Sequence, residues 1–286
     1  MKTRLIVNPR SGHAAAALPA VRAFAERTGA ELALTERPQH ATALAVAAAA
    51  AGCELVVAVG GDGTMNEVAR GLVGTRTALG LVPLGSGNGL ARHLRIPLAT
   101  PAALALLAHG RIHRIDAGDA NGHLFFCAAG CGFDTAVLRR FNRLPRRGFT
   151  AYLVAATIEF FRYAPAAVTV RLDDDPPVAL RPLLLGIANA SQFGNGARLA
   201  PRASLFDGRL NLVAVPALGP LASVPLLWRL FRGTLHLHPR VRTWAAERIE
   251  IERASPAPMQ VDGELVDTTA RISIRVRPDC LRVLGP

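Results

Sequence analysis

The hydrophobic pattern of the chain has two rhythms. Up to about residue 110, short apolar runs alternate with helical stretches. Arg4-Leu-Ile-Val7 ends at Asn8-Pro9, and a Ser/Gly turn then leads into a helical stretch over 15–28. Glu31-Leu-Ala-Leu-Thr35 reads as a second strand and the Ala-rich segment 40–51 as a helix. Leu55-Val-Val-Ala-Val59 is apolar throughout and stops at Gly60-Gly61. A helix over 64–73, a strand over 78–82 and helices from near Asn88 and over 101–109 follow. Strands that are apolar on both faces and alternate with helices predict a parallel sheet covered on both sides.

From about Asp116 onward, turn signals rather than helices separate the strands. Asp173-Asp-Asp-Pro-Pro177 lies between β-rich runs at 168–172 and 178–188. Asp207-Gly208 and Asp262-Gly263 each stand between strand-like runs, a hairpin cue. The helical exceptions are 148–163 and 219–232. The pattern predicts an α/β plus all-β chain: a Rossmann-like nucleotide domain over 1–116, then an antiparallel β-sandwich over 117–286. The extreme C-terminus is free to pack back on the first domain.

Charge narrows the chemistry. The formal net charge is +12, and Lys2 is the only lysine, so the basic residues are almost all arginine. P-loop ATPases and protein kinases each need a phosphate-binding lysine in a fixed motif, so both are excluded. Guanidinium groups suit phosphate-bearing partners. Aromatic residues do not interleave with the arginines, which argues against a nucleic-acid surface. The four cysteines form no C-x-x-C pair and read as free thiols of a reducing compartment. Neither a signal-peptide core nor an 18-residue apolar span is present, so a cytoplasmic protein is expected, with peripheral membrane association and a homodimer left open.

Three Gly-rich turns follow strands of the first domain: Asn8-Pro-Arg-Ser-Gly12, Gly60-Gly-Asp-Gly-Thr64 and Leu84-Gly-Ser-Gly-Asn-Gly89. In an open α/β sheet, ligands bind at the carboxyl ends of the strands. Glycines let amide N–H groups approach phosphate oxygens, and the following helix turns its positive end toward them. Asp62 is the odd member, because a carboxylate among such amides repels a phosphate. It either organises Mg²⁺ or a proton, or it is only an Asx turn or cap.

Gly60-Gly-Asp-Gly-Thr64 with Asn66-Glu67, then Pro83-Leu-Gly-Ser-Gly-Asn-Gly-Leu-Ala-Arg92, resemble the catalytic domain of the diacylglycerol kinase and sphingosine kinase superfamily. The resemblance continues at Gly130-Cys-Gly-Phe-Asp134, Gly148-Phe-Thr-Ala-Tyr152, Ala200-Pro-Arg-Ala203, Phe206-Asp-Gly-Arg-Leu210 and Val261-Asp-Gly-Glu264. It implies a nucleotide domain, a β-sandwich, and a cleft between them for ATP, Mg²⁺ and a lipid. Residue by residue, it implies that Asn8, Ser11 and Gly12 meet the nucleotide. Gly60, Gly61, Asp62, Gly63 and Thr64 would line the phosphates with Gly85, Ser86, Gly87 and Asn88. Glu67 and Asp262 also match nucleotide-site positions. Glu264 is the implied general base, Asp62 the implied catalytic carboxylate and metal ligand, and Asp207 matches a structural Mg²⁺ position.

One departure is Asn88-Gly89, where bacterial diacylglycerol kinases often read Asn-Asp; the Asn-Gly form is closer to sphingosine-kinase-like members. Diacylglycerol- and sphingoid-like acceptors therefore both stay open. So do an NAD-kinase-like small-molecule kinase, which shares GGDGT, and a non-catalytic nucleotide-binding member. Arg92 is a candidate for the positive field at the phosphates. Two segments could dock on an anionic membrane surface: the arginine stretch 139–147 and Leu221–Phe231 with its flanking Arg232. His236 and His238 would share a face if their segment were a strand.

Overall fold

The computed structural model describes residues 1–145, 148–192 and 196–286. The first part of the chain forms β1 (Thr3–Val7), α1 (Ala14–Thr28), β2 (Glu31–Leu34), α2 (His40–Ala50) and β3 (Leu55–Gly60). Then come α3 (Asp62–Leu72), β4 (Ala78–Pro83), α4 (Gly89–His93) and α5 (Thr100–His109). After these come β5 (Arg111–Ala120), β6 (His123–Phe125), β7 (Ala128–Gly132), α6 (Phe133–Arg143), α7 (Phe149–Arg162), β8 (Val168–Leu172), β9 (Val178–Leu180) and β10 (Pro182–Ala188). The last elements are β11 (Leu210–Pro216), α8 (Pro220–Arg232), β12 (Arg242–Ala246), β13 (Arg248–Arg253), β14 (Ala257–Val261), β15 (Glu264–Thr268) and β16 (Arg271–Gly285).

The chain divides into two units, one of Met1–Asp116 with Pro278–Pro286 and one of Ala117–Arg277. In the first, β1 lies between β2 and β3, and β3 pairs with β4, all parallel. Every residue of β3 and β4 is buried, as expected of strands with helices on both faces. Leu5, Val57, Val59 and Val82 pack there against Val21 and Phe24 of α1 and Leu104 and Leu107 of α5. The end of β16 returns to this unit, where Val283 pairs parallel with Leu79.

The second unit is a sandwich. One sheet runs β12-β11-β10-β7-β14-β15, antiparallel throughout. Its inner side (Leu185, Ile187, Leu212, Met259) packs on Val170, Ile249, Ile251 and Ile272 of the layer containing β8 and β13. Period-2 alternation is strict on these strands: Leu210, Leu212 and Ala214 face this core, while Val213 and Val215 face the helical cover on the other side.

Four details differ from the sequence expectations. Residues 133–143 form α6, which the arginine count conceals: Val137 and its buried neighbours face inward and the arginines outward. Arg140 is tied to Glu159 of α7 at 2.5 Å, and Arg139 and Arg143 are exposed; Arg146 and Arg147 lie outside the described residues. Asp207-Gly208 is not a hairpin tip, because no strand precedes it; it is an Asx turn in which the Asp207 carboxylate accepts the Arg209 N–H at 3.1 Å. The run 178–188 splits at Arg181 into β9 and β10. His236 sits in a 3-10 turn over Leu235–Leu237, so it and His238 do not alternate on a strand.

Candidate functional site

The three glycine turns lie together at the carboxyl edge of the first unit's sheet. The Asn8 N–H donates to Val59 O at 3.0 Å, and Leu84 N–H donates to Gly60 O at 2.8 Å, joining the ends of β1, β3 and β4. The Asn8 side-chain amide donates to the Thr64 hydroxyl at 3.1 Å. The Gly61 N–H donates to the Ser11 hydroxyl at 3.2 Å, and His13 N–H to Leu84 O at 3.3 Å. Asn8, Ser11, Gly12, Gly60, Gly61, Thr64, Gly85 and Asn88 therefore form one bonded or touching set. Close packing explains why glycine is needed here. A Cβ on Gly85 would stand 2.8 Å from Gly61 Cα, and one on Gly87 2.6 Å from the Asp62 carboxylate. Gly63, by contrast, faces open space, and Ser86 is exposed.

Asp62 organises the third turn. Its carboxylate accepts the Asn88 N–H at 2.8 Å and the Gly89 N–H at 2.6 Å. It thus caps α4 from a different element, since α4 has no side-chain cap of its own. Asn88, held in the left-handed region at φ 51°, closes the turn on itself. It accepts from Gly85 N–H at 3.0 Å and donates to Gly85 O at 2.7 Å. Arg92 donates from Nε to Gly87 O at 2.8 Å, so its guanidinium braces the same turn.

Glu67 holds a different neighbour. Its carboxylate accepts the Ala41 N–H at 3.1 Å at the start of α2, and its backbone carbonyl accepts the Thr42 hydroxyl at 2.8 Å. Beside it is a cavity of about 260 Å³ lined by Asn8, Arg10, Arg37, Ala41, Thr64 and Glu67, among others. Arg10 and Arg37 were not singled out from sequence. They supply positive charge at the edge where no lysine stands, and their position just after β1 and β2 is the signal that could have found them.

In the second unit, Asp262 and Gly263 form a two-residue turn between β14 and β15, with Val261 paired to Glu264. Both turn residues have positive φ, 48° and 83°, the geometry of a type I′ hairpin. The Asp262 carboxylate accepts three amides, from Phe126 at 2.7 Å and from Cys127 and Ala128 at 2.9 Å each. It anchors the hairpin to the start of β7. Glu264, two residues on, is exposed at the beginning of β15, the edge strand of its sheet.

Asp134 also went without a role in the sequence reading. It is only 3% exposed, and neither carboxylate oxygen has a hydrogen-bond partner. It lies over Gly130, whose missing side chain makes room for it, with Gln260 nearby. Burial pushes its pKa up to about 6, outweighing the pull of the Thr135 backbone and the Gln260 amide. Burial also pushes the Cys131 thiol up to about 12.

Comparison with known proteins decides the family. Residues 2–120 match the diacylglycerol kinase catalytic domain, and residues 127–285 match the YegS C-terminal NAD kinase beta sandwich-like domain. The chain belongs to the diacylglycerol kinase and YegS-like lipid kinase family. A protein named "Probable lipid kinase YegS-like" from Pseudomonas aeruginosa is 35% identical over 84% of this chain and 79% of its own length. The diacylglycerol kinase of Mycobacterium tuberculosis is 29% identical over 100% of this chain and 95% of its own. A solved structure from Bacillus anthracis str. Sterne superposes with a TM-score of 0.81 at 21% identity, covering 100% of this chain and 97% of that one. This lipid kinase therefore has a nucleotide-using α/β domain and a sandwich of the YegS type. Among the described residues, no helix is long and apolar enough to cross a membrane.

Proposed function

We propose that this lipid kinase transfers the γ-phosphoryl group of ATP, with Mg²⁺, to a hydroxyl of a membrane lipid of diacylglycerol- or sphingoid-like chemistry. The observation that carries the reading is the joined set of three glycine turns, with two amides of the third turn drawn onto one carboxylate of the second, Asp62. Phosphoryl transfer asks the protein mainly for positioning and charge neutralisation. Gly12, Gly60, Gly61, Gly63, Gly85 and Gly87 let the backbone approach phosphate oxygens, with Ser11, Thr64 and Asn88 holding the turns and Ser86 exposed among them. Arg10 and Arg37 supply fixed positive charge beside the cavity.

The residues present fit a magnesium ion carried by the nucleotide. Each Asp62 oxygen holds one amide and keeps a second lone pair, and Mg²⁺ characteristically needs only one or two carboxylates besides waters and substrate phosphates. Among the described residues, no group of three His, Cys, Asp or Glu side chains clusters into a dedicated cage. When bound, the ion would offset charge on the transferring phosphates. Glu264 takes the proton of the acceptor hydroxyl as its oxygen bonds to phosphorus and the bond to the leaving nucleoside diphosphate breaks. Asp262 serves that step as a positioning residue, because its three amide bonds fix the turn from which Glu264 projects.

The test is incubation with γ-labelled ATP and a panel of diacylglycerol, sphingoid base, monoacylglycerol, phosphatidylglycerol and NAD. Label in an organic-extractable lipid is the expected result. Label entering NAD alone would replace the reading with an NAD-kinase-like one, and binding of ATP without transfer to any acceptor would leave a nucleotide-binding protein.

A further inference from the structure

Helix α8 carries two apolar faces, and only one of them is used by the fold. Leu226 is buried and Leu230 packs beside it on Leu199, Val213 and Val215. On the opposite side, Leu221 is 90% exposed, Val224 62% and Trp228 56%, with Leu227 and Phe231 also exposed. Leu221, Val224, Trp228 and Phe231 recur at three- and four-residue spacing, so they form one stripe. An ordinary surface helix turns charge outward where this one turns its largest apolar side chains.

The charge of the segment that contains α8 is all of one sign. From Gly208 to Ala246 the sequence contains no Asp or Glu but five arginines. Arg229 and Arg232 lie in the last turn of α8, and the Arg232 guanidinium stacks over the Trp228 ring at 4.4 Å. Trp, Phe and Leu on one face with arginine beside them is the composition of a helix lying in a bilayer interface, where the apolar side enters the acyl boundary and guanidiniums meet headgroup phosphates. A second copy of this chain fits the face poorly, because it would bring together two helices that each carry arginine and no acidic residue.

The helical cover extends this surface. Gly130, Gly186 and Val213 are register partners across β7, β10 and β11 and so share a face of the sheet. Asp134 of α6 lies over Gly130, and α8 packs over Val213. The α6–α7 pair and α8 therefore cover the same side of the sandwich, and α7 also shows apolar residues outward, Val154 and Phe161 among them.

We infer that the outer face of α8 is an interfacial docking surface for an anionic lipid bilayer. The inference rests on the proposal that the acceptor is a membrane lipid, and it names the element that brings the enzyme to it. Co-sedimentation of the full chain with mixed phosphatidylglycerol–phosphatidylcholine vesicles tests it, alongside quenching of tryptophan emission by brominated lipid. Wild type should partition onto the anionic vesicles, lose binding as salt shortens the screening length to about 10 Å at 0.1 M and below, and show quenching that disappears in Trp228→Ser. The triple variant L221S/L227S/W228S should bind at least about tenfold more weakly, with its melting temperature and its turnover of a water-dispersed short-chain acceptor unchanged. Vesicle binding within twofold of wild type in that variant, or no quenching in wild type, would overturn the inference. So would a wild-type dimer in sedimentation that the variant makes monomeric, since the face would then be a contact between copies. Docking with no phosphorylation of any acceptor would instead leave the surface standing and remove the kinase proposal.

Discussion

Asp62 and Asp262 both sit in glycine-flanked turns, one in each unit, and both draw together backbone amides from a segment distant in sequence. Asp62 collects two, from Asn88 and Gly89, and Asp262 three, from Phe126, Cys127 and Ala128. The difference lies in what each arrangement leaves over. Asp62 retains lone pairs at the edge where the three glycine turns meet, so clamp and chemistry can reside in one carboxylate. Asp262 is more fully engaged, and the carboxylate beside it, Glu264, is exposed. A carboxylate in a glycine turn is thus first a collector of amides; whether it also reacts depends on how many it collects.

Breaking the larger clamp should have the largest effect on stability. Asp262→Ala removes the acceptor for three amides, and bonds to a charged group contribute about 1.5–3 kcal/mol each without being additive. A loss of roughly 3–5 kcal/mol is expected, seen as a much lower midpoint in urea. A loss below about 1 kcal/mol would mean that the hairpin is held by its strands alone. Asp62→Asn sharpens the other side. The amide keeps one acceptor oxygen, so stability should fall by only about 1–2 kcal/mol, while turnover at limiting Mg²⁺ falls steeply. Wild-type turnover in that variant would reduce Asp62 to a clamp.

Asp134 extends the comparison to a carboxylate whose polar neighbours, the Thr135 backbone and the Gln260 amide, do not offset its burial. Burial raises its pKa to about 6, above the ordinary value near 3.9. The folded protein therefore holds this proton more tightly than the unfolded chain, and stability is lost as pH rises from about 4 through 6. Asp134→Asn removes that penalty. The variant should be more stable than wild type at pH 7.5 by roughly 2 kcal/mol, with the gap closing below about pH 4. A variant less stable at pH 7.5 would show that the carboxylate has a partner in solution.

The strand–helix alternation of the first unit was readable because its strands are apolar on both faces; the expected strand at 78–82 is observed over Ala78–Pro83. The turn at Asp262-Gly263 was readable from its dipeptide. The equivalent cue at Asn121-Gly122, which joins β5 to β6 with φ of 49° and 89°, carries the same signal and was passed over. Helix α6 was hidden because its outward arginines read as a solvated charge run, although Val137 and Phe141 keep helical spacing. The partners of Asp62 and Asp262 were beyond sequence reading, since each contact spans tens or hundreds of residues. The same limit hid the burial of Asp134; the segment Leu221–Phe231 was legible as a docking candidate, and only which of its faces the fold uses depended on tertiary packing.

The most direct test of the division between clamp and reacting carboxylate is the kinetics of Glu264→Gln on a dispersed short-chain lipid acceptor, with ATP affinity measured on the same sample. A positioned base contributes about 10²–10⁴-fold, so kcat should fall by that factor while the ATP dissociation constant stays within about threefold. Wild-type kcat in this variant would contradict the account and leave Glu264 an exposed residue at the start of an edge strand.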